Sequence, residues 1–312
     1  MHTYTPYQVG KSNGKKPFLN KWSVFSAAAC VIAIVYANAV FNSMKKRQTI
    51  PGIDTAAIAA DKTVGNPIGG KIEFKTLATH PHATDAYTQG LVFHEGTLYE
   101  STGQYEKSSI RNVDISTGKP LKKTSLRPNY FGEGIELIGD DLYMLTWRAG
   151  ECFVFDRETL KYKKTYKYSG EGWGLAFDGT HLILSDGTST LRFYDPNDFS
   201  LKKRVTVYDG ESLKRGRKIA NLNELEMVEG ELWANVWHSD RIARIDPNTG
   251  KISAWINCTS FVPAEIKQKR ATDQNFAEKV LNGIAYDPKT KRIFITGKEW
   301  PVLYEIQLNF DR

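Results

Sequence analysis

Beyond Lys71 the chain alternates apolar and polar residues in short runs broken by turn-forming dipeptides, and a period of two predicts β-strands. No helical periodicity competes until about Pro263. Five runs repeat one template: GLVFHEGTLYEST, GIELIGDDLYMLTW, GLAFDGTHLILSDG, ELEMVEGELWANVW and GIAYDPKTKRIFITGK. Each reads as strand, tight turn, strand. After the first four comes a third strand ending in Asp and turn formers (SSIRNVDISTGK, GECFVFDRETLK, STLRFYDPNDFS, DRIARIDPNTGK), then a fourth (PLKKTSL, KYKKTYKY, LKKRVTVY, ISAWINC).

Four short strands recurring at this interval make one propeller blade, so residues 71–312 are predicted to be all-β, a five-bladed β-propeller. The fifth unit stops at PVLYEIQL, and KIEFKTLATH at 71–80 is the candidate to supply its missing outer strand and close the ring. Insertions around 209–220 and 263–279 lengthen two of the units and map to loops at one face; the second is able to form a short helix. A β-sandwich of similar hairpins shares this patterning, but in-register repetition with a closing strand favours the propeller.

The first seventy residues differ. A basic tail at 1–21 precedes an uncharged apolar run within 22–43, read as a transmembrane anchor or a signal peptide. A Gly- and Pro-punctuated linker spans 44–70. Export follows from either reading, with the propeller outside the cytoplasm. The net charge of +7 comes from this region and from short Lys runs separated by turns, a pattern of solvated edges rather than of nucleic-acid binding. Three cysteines are too few for a disulfide scaffold, and sequence leaves the pairing of Cys152 and Cys258 open. Asn257 begins a glycosylation tripeptide.

In a propeller the first strand of each blade faces the axis, so equivalent positions converge on one cavity. Gln89, Glu133, Trp173, Asn223 and Asn282 occupy one such position, and Gly103, Trp147, Gly187, Trp237 and Lys298 another at the end of the second strand. Rings that mix an acid, a base, amides and indoles suit binding and proton transfer. A carboxylate facing aromatic walls is desolvated and its pKa rises, which singles out Glu133. No Ser, Cys or His set forms a nucleophilic triad, and His80, His82, His181 and His238 are scattered.

These residues also resemble the plant-type glutaminyl cyclases. The shared motifs are Tyr87-Thr88-Gln89-Gly90-Leu91, Phe131-Gly132-Glu133-Gly134, Leu145-Thr146-Trp147, Glu171-Gly172-Trp173-Gly174, Asn221-Leu222-Asn223-Glu224-Leu225-Glu226, Asn235-Val236-Trp237, Leu281-Asn282-Gly283-Ile284-Ala285 and Thr296-Gly297-Lys298. The resemblance implies a glutaminyl-peptide cyclotransferase acting on peptides or proteins with N-terminal Gln. It implies that Glu133 carries protons, that Gln89, Asn223 and Lys298 hydrogen-bond substrate or oxyanion, and that Phe131, Trp147, Trp173 and Trp237 wall the pocket. Tyr87 and Asn282 are expected to join the substrate contacts, with Tyr87 standing where the family is expected to carry Phe. No cofactor or metal is expected for the reaction, although a structural divalent cation in the channel is left open. The main rival is a non-catalytic propeller that binds ligands or proteins outside the cell; a metal-dependent propeller hydrolase is a second.

Overall fold

The computed structural model describes residues 73–309. The expectations of a tail, an anchor or signal segment and a linker within 1–70 lie outside them. Among the described residues no helix is long and apolar enough to cross a membrane.

Twenty of the strands form five antiparallel four-stranded sheets. The first holds β2 (Thr88–His94), β3 (Thr97–Thr102), β4 (Ser109–Asp114) and β5 (Lys119–Ser125), paired in sequence order. The second holds β6 (Gly132–Ile138), β7 (Asp141–Thr146), β8 (Glu151–Asp156) and β9 (Tyr162–Lys167). In the third, β10 (Leu175–Phe177) and β11 (Leu182–Leu184) are short, followed by β12 (Thr190–Tyr194) and β13 (Leu201–Thr206). The insertion after it contains a small hairpin, β14 (Tyr208–Asp209) with β15 (Arg217–Lys218). The fourth sheet holds β16 (Leu222–Val228), β17 (Glu231–Val236), β18 (Arg241–Ile245) and β19 (Ile252–Asn257). The second insertion forms α1 (Ala264–Lys269) and a 3-10 turn at Gln274–Phe276, as its composition suggested.

The fifth sheet holds β20 (Leu281–Asp287), β21 (Arg292–Gly297) and β22 (Val302–Asn309), and β1 (Glu73–Pro81) completes it from outside. β1 pairs antiparallel with β22 from Glu73 opposite Asn309 to Pro81 opposite Val302. The ring is therefore closed as the sequence predicted. Just beyond β1, the buried His82 donates from Nδ1 to the Trp300 carbonyl (2.7 Å) and places Nε2 2.9 Å from Glu100 of β3. Burial works against charge on His82, but the Glu100 carboxylate outweighs it and raises the imidazole pKa. The junction thus ties the closing strand to the blades on both of its sides.

Period-two alternation decides which neighbour each side chain packs against. The core divides into five apolar clusters, each filling the gap between two adjacent blades. On β17, Trp233 faces the fifth blade and Ala234 the third. The fifth cluster joins Leu91, Phe93 and Leu98 of the first blade to Ala285, Phe294 and Leu303 of the fifth, which only a closed ring permits. Cys152 and Cys258 are free thiols buried in two of these gaps, and burial pushes both pKa values up.

Around the axis a second regularity appears. One residue after the first ring of candidate residues stand Gly90, Gly134, Gly174, Glu224 and Gly283. The glycines let neighbouring inner strands touch backbone to backbone: a Cβ on Gly134 would lie 2.6 Å from the Leu175 nitrogen, and one on Gly174 would fall on the Asn223 carbonyl oxygen. The one exception, Glu224, sends its carboxylate across the channel to accept from the amides of Ile284 (2.9 Å) and Leu91 (3.5 Å).

Candidate functional site

Both candidate rings lie at the same end of the channel, because the start of each inner strand is bonded to the end of the next strand in its own blade. The amides of Gly103, Trp147, Trp237 and Lys298 donate to the carbonyls of Tyr87, Phe131, Asn221 and Val280, each two residues before its blade's ring member. The third blade departs from this rule. Its inner pair is only three residues long, so Trp173 precedes β10 and its amide donates instead to the Ser185 carbonyl.

Glu133 sits in β6 and is 4% exposed, as is Lys298. It belongs to a strand and not to a capped bend, the other way its Gly-flanked setting can be read. No described group donates a hydrogen bond to its carboxyl. Burial raises its pKa well above the carboxylate range, the charge of Lys298 opposes this, and that of Glu171 adds to it. Burial likewise lowers the Lys298 pKa, against the attraction of Glu133 and Glu278. A desolvated acid and base therefore act on each other across the site, each keeping the other closer to its charged form.

The amides are oriented as well as buried. Asn282 Nδ2 donates to the Thr88 carbonyl (3.0 Å), which fixes its orientation, and also to Gln89 Oε1 (3.2 Å). Gln89 therefore has its Nε2 donor left for another partner. The buried Oδ1 atoms of Asn223 and Asn282 have no protein partner, leaving two bare acceptors. Polar residues of the second strands pin the next blade's inner strand: Ser101 donates to the Glu133 carbonyl (2.7 Å), Ser185 to the Asn223 carbonyl (2.6 Å), and Asn235 accepts from the Gly283 amide (2.9 Å).

Aromatic rings wall this polar floor. Phe131 meets Trp147 with centroids 5.4 Å apart and Tyr87 at 6.1 Å, while Trp173 and Trp237 meet edge to face at 5.7 Å. The glycines of the second ring make room: a Cβ on Gly187 would lie 2.7 Å from the Trp173 ring, and one on Gly103 would collide with Phe131. Lys298 Nζ lies 4.7 Å above the Tyr87 ring. Burial, with the charges of Glu278, Glu133 and Glu299, pushes the Tyr87 phenol far up, so it stays protonated.

Hydrogen bonds, ring contacts and charge interactions thus link Gln89 to Asn282, Phe131 to Tyr87 and Trp147, Trp173 to Trp237, and Lys298 to Tyr87 and Glu133. Asn223 is buried on the inner strand beside Gly174. Two carboxylates that the repeat template passed over hold the indoles in place. Glu171 accepts from Trp147 Nε1 (2.8 Å) and Trp173 Nε1 (3.1 Å) and pairs with Arg148. Glu278 accepts from Trp237 Nε1 (3.2 Å) and lies 3.4 Å from His238. Both stand in connections between blades, outside the repeated positions. Among the described residues no group of three or more His, Cys, Asp or Glu side chains is gathered as a metal ion would need.

Comparison with known proteins agrees with this fold. A family described as glutamine cyclotransferase matches residues 52–308. The chain is 43% identical over 240 residues to glutaminyl-peptide cyclotransferase of Arabidopsis thaliana, covering 76% of this chain and 71% of that one. The crystal structure of Myxococcus xanthus glutaminyl cyclase superposes with a TM-score of 0.68 at 37% identity, over 78% of this chain and 99% of that one.

Proposed function

The chain belongs to the glutamine cyclotransferase family, and we propose that its channel mouth works by moving one proton through Glu133 while amides and Lys298 hold the reacting groups. The reaction converts an N-terminal glutamine of a peptide to pyroglutamate. The substrate α-amine attacks its own side-chain carbonyl carbon, a C–N bond forms, the bond to the side-chain nitrogen breaks, and ammonia leaves. One proton must pass from the attacking nitrogen to the departing one. A buried carboxylate with a raised pKa and no competing hydrogen bond is suited to accept it and hand it on, and that observation carries the reading.

The bare Asn223 and Asn282 oxygens can accept from the substrate amine, orienting its lone pair. The free donor of Gln89 and the Lys298 ammonium are available to stabilise the oxygen on which negative charge develops. The indoles and Phe131 keep water from competing with the amine. On this reading no cofactor takes part. The full-length chain is expected to release ammonia and form pyroglutamate from Gln-Ala amide at an undiminished rate in excess chelator. Folded protein without turnover supports the non-catalytic binding propeller instead, and turnover lost only to chelator requires a metal.

Lys298 also sets the working pH. Its charge holds the Glu133 pKa down, so removing it lets that pKa rise further, and a higher pH is needed to form the carboxylate. In Lys298→Met the acid limb of the pH–kcat profile is expected to move to higher pH, with a loss of about 10²-fold at the optimum. A limb that stays in place means that Glu133 and Lys298 do not interact in the working enzyme.

A further inference from the structure

The pocket accounts for the glutamine, and the rest of the peptide must leave through the mouth. One side chain there has no part in the steps above. Tyr105, in the turn between β3 and β4, is 47% exposed, yet its ring stands edge-on to Phe131 with centroids 5.5 Å apart. Phe131 also contacts Trp147 and Tyr87, so aromatic surface runs unbroken from the pocket wall to solvent.

The backbone on both sides of Tyr105 is left-handed, with φ of 78° at Gln104 and 67° at Glu106, a conformation that costs a side-chain-bearing residue free energy. Hydrogen bonds hold it there. The Gln104 carbonyl accepts from the Lys107 and Ser108 amides and from Ser108 Oγ (2.6 Å), and the Glu106 amide donates to the Pro128 carbonyl. Ser108 Oγ in turn accepts from the Gly132 amide at the start of β6, next to Glu133. The turn is thus braced against the strand that carries Glu133 and holds an aromatic ring out to water. A ring ordered in advance binds a partner with less loss of entropy. Nearby, Arg148 lies 3.7 Å over the Trp147 ring and is paired with Glu171, so its charge is already engaged.

Building on the proposed function, we propose that Tyr105 and the outer edge of Phe131 form the subsite for the side chain of the peptide's second residue, and that this subsite favours aromatic and apolar side chains. The test compares kcat/KM for Gln-Phe amide and Gln-Ala amide in the full-length chain and its variants. The native chain is expected to prefer Gln-Phe by about two- to tenfold, the range of one aromatic pair. Tyr105→Ala is expected to lose that preference through a higher KM for Gln-Phe while Gln-Ala turnover is unchanged, and Tyr105→Phe to keep it. A Phe-to-Ala ratio unchanged in Tyr105→Ala, or equal losses on both substrates, overturns the subsite. Turnover of neither substrate by the native chain would instead defeat the cyclotransferase reading on which it rests.

Discussion

Glu133→Gln is expected to lower kcat by about 10²–10⁴-fold while the fold survives, a loss equivalent to about 3–5 kcal/mol of barrier. Gln keeps the volume and the planar end of the side chain but can neither take the amine proton nor deliver one to ammonia. Because no described group hydrogen-bonds to the Glu133 carboxyl, the substitution breaks no internal hydrogen bond; it removes a desolvated ionisable group, and with it part of the attraction that keeps the buried Lys298 charged. Losing the desolvated carboxyl favours the fold, while leaving Lys298 with only the weaker attraction of Glu278 opposes it, so the unfolding midpoint should change little. KM should change little, since the amides and indoles that hold the substrate are untouched. A variant that keeps more than a tenth of native turnover would mean that positioning alone drives the cyclisation. A variant that fails to fold would show that Glu133 is structural. Measuring kcat and the thermal midpoint on one preparation separates these outcomes.

Gly174→Ala is expected to have the largest effect on stability. A Cβ there would overlap the Asn223 carbonyl oxygen and press on the Glu224 Cα 2.9 Å away, and both atoms belong to the neighbouring inner strand. No side-chain rotation relieves a clash between backbones, so the third and fourth blades must part. Overpacking of this kind costs about 3 kcal/mol or more, which in a domain of this size lowers the midpoint by about 6–12 °C. The same displacement moves Asn223, so kcat should fall as well. By contrast, Gly179→Ala, where nothing lies within 4 Å of the added carbon, should cost only the strain of its positive φ. Equal midpoints for the two variants would mean that the inner strands do not approach as closely as described.

The propeller was legible because it is written five times. A single strand–turn–strand run is ambiguous, but five at matching offsets, with an outer strand missing from the last and spare at the front, leave few architectures open. The pocket was legible for the same reason: once Gln89 is aligned with Glu133 and Asn223, the ring geometry brings them together. The axis glycines carried a similar signal, since Gly90, Gly134, Gly174 and Gly283 share an offset that Glu224 breaks. Glu171 and Glu278 could not be found this way. They lie in connections that differ from blade to blade, and only the folded chain shows that they receive indole N–H groups. The shortness of β10 and β11 was equally hidden, because the run around Trp173 alternates like the others while Trp173 departs from the shared bonding pattern. The orientation of Gln89 depends on Asn282, 193 residues away, and no local pattern encodes it.

The blade shared between β1 and β22 also imposes an order on biosynthesis. β1 is among the first segments of the propeller to leave the ribosome, and its partner is among the last. Until then β1 has only a solvent-facing edge to offer, and Leu91, Phe93 and Leu98 lack the apolar surface of Ala285, Phe294 and Leu303 that covers them in the finished ring. The first four blades can assemble as an open arc during translation, but the arc cannot close until β22 is free to pair with β1. Lys298, which precedes β22, enters its place opposite Glu133 only as the last blade forms. A nascent chain that still lacks the fifth blade therefore holds Glu133 without its countercharge, and the pair is completed only once that blade has been made.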